Sequence, residues 1–297
     1  MAFKYSVSGL TLGFSGYDFS EEPEIILEAI KNAGFDGIDV FDNPQKRNAE
    51  RLRKMANSLD LAVPEVLGNW GGEGRDLAGG DEKTREEAVE YAKEAIDYCV
   101  DLGSPVFGFC LPQPGASEAP ISVLPVETLK GNIVDGLKKI CTYAAERNVT
   151  VAVEPLNCYE SYPCLMNTLT ETMKVIEQLD CDNIGLQPDV FHMNIGEHSI
   201  TDAIKTFKDH IVTFHMNETN HFKFGTGHAD VKAIMQTLKE IGFSGYMTVY
   251  MPLMTRELFN MAFRGIVDEG TAPEKPDLDT LLTETIGYMR SVEAEIG

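Results

Sequence analysis

Short runs rich in β-branched and aromatic residues alternate along this chain with longer segments of helical period, and the alternation repeats eight times. Repeated strand-helix units of this kind build a parallel sheet, because each strand must return to the same end of the sheet through a crossover. Candidate strands start near Tyr5, Gly37, Ala62, Val106, Val149, Ile184, Val212 and Tyr246. Amphipathic stretches fall at 22–33, 45–58, 83–102, 126–147, 169–179, 231–241 and 278–296, with Ile26, Leu27, Ala29 and Ile30 showing an apolar stripe beside charged neighbours. Eight such units suggest a closed (β/α)8 TIM barrel. The alternative, an open doubly wound sheet, lacks its Gly-x-Gly-x-x-Gly after the first strand.

A length of 297 residues suits a single barrel domain spanning 1–297. Two connections, 68–84 and the proline-bearing 111–123, follow strand carboxyl ends and are expected to rim the pocket. An insertion at 253–273 is expected to form a lid or an oligomer contact.

Charge narrows the partners. A formal net charge of −22 repels nucleic acid and anionic membranes unless basic residues cluster, so neither is expected as a partner. The opening Met1-Ala2-Phe3-Lys4-Tyr5-Ser6 lacks a signal-peptide pattern and no segment reads as a membrane span, so a cytoplasmic protein is expected. The cysteines at 99, 110, 141, 158, 164 and 181 show no CxxC pairing and read as reduced thiols, with Cys158 and Cys164 beside the loop after Glu154.

Strand ends carry the chemistry. Val151-Ala152-Val153-Glu154 and Gln187-Pro188-Asp189 each close an apolar run on a carboxylate, and Thr213-Phe214-His215 closes the next on an imidazole. In a parallel barrel these ends converge around one opening. Two carboxylates and an imidazole suit Mn²⁺, Co²⁺ or Mg²⁺ better than a thiolate-seeking metal. Trp70, Phe107, Phe109 and Phe224 are candidates for an apolar wall, and Cys110 is placed among the substrate contacts. Gly225-Thr226-Gly227 reads as a turn, or as a phosphate-binding loop on its backbone N–H groups.

The segments Glu154-Pro155-Leu156-Asn157, Asp189-Val190-Phe191-His192, His215-Met216-Asn217-Glu218-Thr219-Asn220 and Gly225-Thr226-Gly227-His228-Ala229-Asp230 resemble the sugar phosphate isomerase/epimerase superfamily, and most closely its ketose 3-epimerases. The resemblance implies one divalent metal, with Mn²⁺ the leading expectation, a small sugar substrate and assembly as a dimer or tetramer. It puts Glu154, Asp189 and His215 on metal-ligand positions and Glu160 and His192 on sugar-contacting ones. It also implies a second glutamate at the end of strand eight, where this chain has Tyr250, or Met251 if the alignment is anchored on Pro252. His221 stands where the epimerases carry an arginine. Glu154 is then the expected base, and the returning proton is expected from Tyr250, Glu218, His221 or water. Other readings of the barrel are a lyase or dehydratase of the inosose dehydratase or C-glycoside deglycosidase kind, a metal-dependent endonuclease, and a non-catalytic sugar-binding protein.

Overall fold

Eight short strands form where the apolar runs stand: β1 (Lys4–Ser8), β2 (Gly37–Asp42), β3 (Val66–Gly68), β4 (Val106–Cys110), β5 (Thr150–Glu154), β6 (Ile184–Leu186), β7 (Phe214–Met216) and β8 (Tyr246–Val249). The computed structural model describes residues 2–18, 21–42, 49–68, 74–110, 124–159, 165–250 and 276–297. Every pairing is parallel, in the order β6-β5-β4-β3-β2-β1-β8-β7. The two ends of that order meet through parallel bridges, Leu186 with Ile211 and Asp189 with His215. The Val212 N–H donates to Leu186 O at 2.9 Å and the His215 N–H to Pro188 O at 2.8 Å. The sheet therefore closes on itself as a TIM barrel, and the open-sheet alternative falls.

Helices α1 (Gly9–Phe14), α2 (Pro23–Ala33), α3 (Ala49–Ser58), α4 (Glu82–Leu102), α5 (Val126–Ala145), α6 (Leu169–Ile176), α7 (Val190–Gly196), α8 (Ile200–Thr206), α9 (Val231–Glu240) and α10 (Leu278–Glu295) connect the strands. α2 begins with proline inside its first turn, buries Ile26, Leu27 and Ile30, and stops at Gly34, whose φ of +97° only glycine adopts freely. The sequence pattern did not indicate α1, α7 or α8. Each has six or seven residues, too few turns to develop a stripe, and is held at its start by a side chain of Ser8, Asp189 or Ser199. β3 starts at Val66 instead of near Ala62, because Pro64 offers no donor to the ladder; an isolated bridge from Gly37 to Ala62 marks the approach.

Phe107, Phe109, Tyr5 and Phe214 are fully buried in the core. Phe107 and Phe109 are therefore packing residues, and Phe224 stacks on Tyr288 with ring centroids 5.3 Å apart. None of the three forms a free apolar wall. Among the described residues no helix is long and apolar enough to cross a membrane, and Cys99, Cys110, Cys141 and Cys181 are free thiols. Cys164 and the expected lid at 253–273 lie outside the described residues.

Candidate metal centre and active site

Glu154 ends β5, Asp189 caps α7 and bridges to His215, and His215 stands in the middle of β7 instead of at its end. All three are buried. Asp189 accepts the His192 N–H through Oδ1 at 3.1 Å and the Asn217 Nδ2–H through Oδ2 at 2.8 Å, so both oxygens are aimed by neighbours. Asn217 is itself anchored, since its Oδ1 accepts the Phe191 N–H at 2.8 Å.

His192 Nδ1 lies 3.2 Å from the backbone N–H of Asn157 and 2.8 Å from its side-chain amide. A backbone N–H can only donate, so Nδ1 accepts and Nε2 carries any proton. That leaves Nε2 facing Glu154 Oε1 at 3.9 Å. Glu154 Oε2 accepts the Cys110 thiol at 2.8 Å. Donor atoms of Glu154, Asp189 and His192 lie within 4.8 Å of one another. His215 Nδ1 adjoins the same group, 3.4 Å from Glu154 Oε1 and 3.9 Å from Asp189 Oδ2.

Burial works against the charge on Glu154, yet the His215 imidazole beside it holds its carboxyl below the usual range. Asp189 goes the other way, pushed up to about 8 by burial and by the negative charge of Glu154. Two carboxylates that compete for one proton and two imidazole nitrogens make a hard, mixed O/N donor set, which fits a divalent cation of the Mn²⁺, Co²⁺ or Mg²⁺ kind.

Tyr250 follows β8, and its hydroxyl lies 3.1 Å from His215 Nδ1. Burial, then the charges of Glu154 and Asp189, push the phenol well above its usual range, so it stays a neutral O–H. His221 adopts a left-handed backbone (φ 56°) and lays its ring 3.8 Å from that of Phe191; burial and neighbouring His192 push its pKa down to about 3. Glu218 is turned into its own loop, where its carboxylate accepts the N–H groups of Thr219, Gly225 and Ala229 at 2.8, 3.0 and 3.0 Å. A Cβ at Gly227 would fall 2.4 Å from Glu218 Oε1, so that glycine is what admits the carboxylate. The Gly225 donor considered for a phosphate is already used. Trp70, Glu160 and Met251 lie outside the described residues.

A profile described as xylose isomerase-like TIM barrel matches residues 27–272. This chain belongs to that family. The xylose isomerase-like barrel is 27% identical over 285 residues to an L-ribulose 3-epimerase of Mesorhizobium japonicum, covering 96% of this chain and 90% of the relative. It is 25% identical over 237 residues to a 3-dehydro-D-guloside 4-epimerase of Escherichia coli, covering 76% and 86%. A solved L-ribulose 3-epimerase superposes with a TM-score of 0.82 at 23% identity, covering 100% of this chain and 96% of that one.

Several groups in this barrel escaped the sequence reading. Asp39 on β2 and Glu65 just before β3 point inward and form a second donor group with His215. Gln187 donates to Glu65 Oε1 at 2.7 Å and also touches His215. The available signal was a lone carboxylate inside an apolar run, Ile38-Asp39-Val40 and Pro64-Glu65-Val66.

Proposed function

We propose that this xylose isomerase-like barrel is a divalent-cation-dependent sugar epimerase that removes and replaces a proton on a carbon next to a carbonyl. The observation that carries the reading is Glu154: a carboxylate held ionised in a buried pocket, beside Asp189, His192 and His215. The relatives' names agree in chemistry, since a 3-epimerase acting on ribulose and a 4-epimerase acting on a 3-dehydro sugar both invert a carbon adjacent to a ketone.

Glu154, Asp189 and His215 would hold the cation, with His192 close enough to join them or to meet the sugar. Mn²⁺, Co²⁺ and Mg²⁺ all suit this donor set, and the resemblance to the ketose 3-epimerases makes Mn²⁺ the first to try. Bound there, it would supply the positive charge that lowers the energy of the oxygen anion formed as the proton leaves. Glu154 takes the proton, and its low pKa keeps it ionised at neutral pH. Tyr250 carries the O–H that supplies the opposite proton, since its phenol is neutral and close to the cluster. Cys110, His221 and Phe191 shape the wall around the substrate.

A phenol held this firmly neutral also supports a second reading, elimination of a hydroxyl from the same enolised sugar, with Tyr250 protonating the leaving oxygen. One experiment separates the two. Metal-loaded protein is incubated with L-ribulose and with 3-dehydro-glycosides in heavy water; epimerisation puts deuterium on the carbon beside the carbonyl with inversion, and elimination yields an ultraviolet-absorbing conjugated carbonyl. No deuterium in any keto sugar sinks the reading.

A further inference from the structure

We infer that Glu65 is a positioning residue for the cation site: its carboxylate takes the Nε2–H of His215, so that Nδ1 is the nitrogen left to face Glu154 and Asp189. The inference rests on the proposed function above for its cation.

The His215 ring is flanked on both edges. Nδ1 faces the Glu154–Asp189 group, as described, while Nε2 lies 3.3 Å from Glu65 Oε2 and also adjoins the Gln187 side-chain amide nitrogen, which reaches Nδ1 at 3.2 Å; an amide N–H only donates, so Glu65 is the neighbour able to accept a proton from Nε2. Glu65 is completely buried. Its other oxygen accepts Gln187 Nε2–H at 2.7 Å, which anchors the carboxylate beside the imidazole. Room for it comes from β4: a Cβ at Gly108 would sit 1.8 Å from Glu65 Oε1, so a residue with any side chain there would displace the carboxylate. Among the described residues His215 is the one basic side chain within ion-pair distance of Glu65.

A neutral imidazole carries one N–H, and the hydrogen bond made by one nitrogen decides which of them is free to bind a metal. A carboxylate behind a ligating histidine sets that tautomer and raises ligand basicity, and its loss commonly weakens metal binding about 10–100-fold. Glu65 lies just before β3, 150 residues from His215 in sequence, and meets the site at the Nε2 edge of the ring.

The test is Mn²⁺ titration of the full chain and its Glu65→Gln variant, followed by the electron paramagnetic resonance of free Mn²⁺. The expected result is a dissociation constant raised about 10–100-fold in the variant, with partial recovery in Glu65→Asp and an unchanged unfolding midpoint of the metal-free protein. Values within twofold of each other overturn the inference while leaving the proposed function standing. No divalent binding by the unaltered chain overturns both. Should Glu65→Gln fail to fold, long-range ¹⁵N–¹H spectra of ¹⁵N-histidine-labelled, Mg²⁺-loaded unaltered protein decide instead: a proton on Nε2 of His215 supports the assignment, and a proton on Nδ1 overturns it.

Discussion

The two edges of the His215 ring face different kinds of chemistry. On the Nδ1 side stand Glu154, Asp189, His192 and Tyr250, drawn from strand ends and the residues just past them, where the barrel opens. On the Nε2 side lie Asp39 and Glu65, with Gln187 reaching both ring nitrogens, sealed inside the barrel together with Ser6 and Thr248, which hydrogen-bond to each other at 3.0 Å. Both oxygens of Asp189 accept hydrogen bonds. By contrast, Asp39 Oδ1 and Gln187 Oε1 have no hydrogen-bond partner among the described residues. Burial and the nearby Glu65 push Asp39 up to about 8, so its carboxyl holds a proton at neutral pH. The outer edge is thus the face on which we propose that cation and sugar meet, and the inner edge is a sealed polar support for the imidazole.

Variants on the two edges should separate accordingly. Glu154→Gln removes the base and is expected to lower turnover by about 10³, with far-ultraviolet circular dichroism unchanged. If Glu65→Gln lowers turnover equally at saturating cation, the division into working and supporting edges is wrong. Tyr250→Phe keeps the ring and deletes the O–H; epimerisation should slow by about 10² while solvent deuterium still enters the substrate, because Glu154 is intact. Equal loss of exchange and inversion would remove Tyr250 from the proton-returning role.

A smaller effect concerns pH. His221 is buried neutral with its pKa pushed down to about 3, whereas an unfolded histidine titrates near 6.5. Between those values the unfolded chain binds the extra proton, so stability rises with pH and is lost as pH falls from about 6.5 towards 3. His221→Gln should flatten that slope, and urea unfolding should show the variant gaining roughly 1–2 kcal/mol relative to the parent on going from pH 7 to pH 5. A parallel pair of curves would mean His221 is not held neutral. The smallest effect lies away from both edges. Ser199 caps α8 by accepting the Asp202 N–H at 3.3 Å, and Ser199→Ala should cost about 1 kcal/mol in urea unfolding without altering turnover.

The eight-fold alternation of apolar runs and amphipathic stretches was enough to specify the barrel, because a strand that closes on a polar residue and is followed by a helix has few ways to pack. The same logic placed Glu154, Asp189 and His215 around one opening, since parallel strands deliver their carboxyl ends to one face. What pattern alone left open was which way each side chain turns. Glu218 belongs to the motif segment after β7, yet the N–H groups of its own loop capture it. Counting along strand eight favours Tyr250 over Met251 for the position after it, but only the closed barrel brings the Tyr250 hydroxyl to His215, and Met251 lies outside the described residues. Asp39 and Glu65 read as isolated charges in apolar runs, because their partner lies more than a hundred residues further along the chain. Period and composition report which face of an element is buried; only closure of the sheet decides which buried charges meet, and here that meeting point is the imidazole of His215.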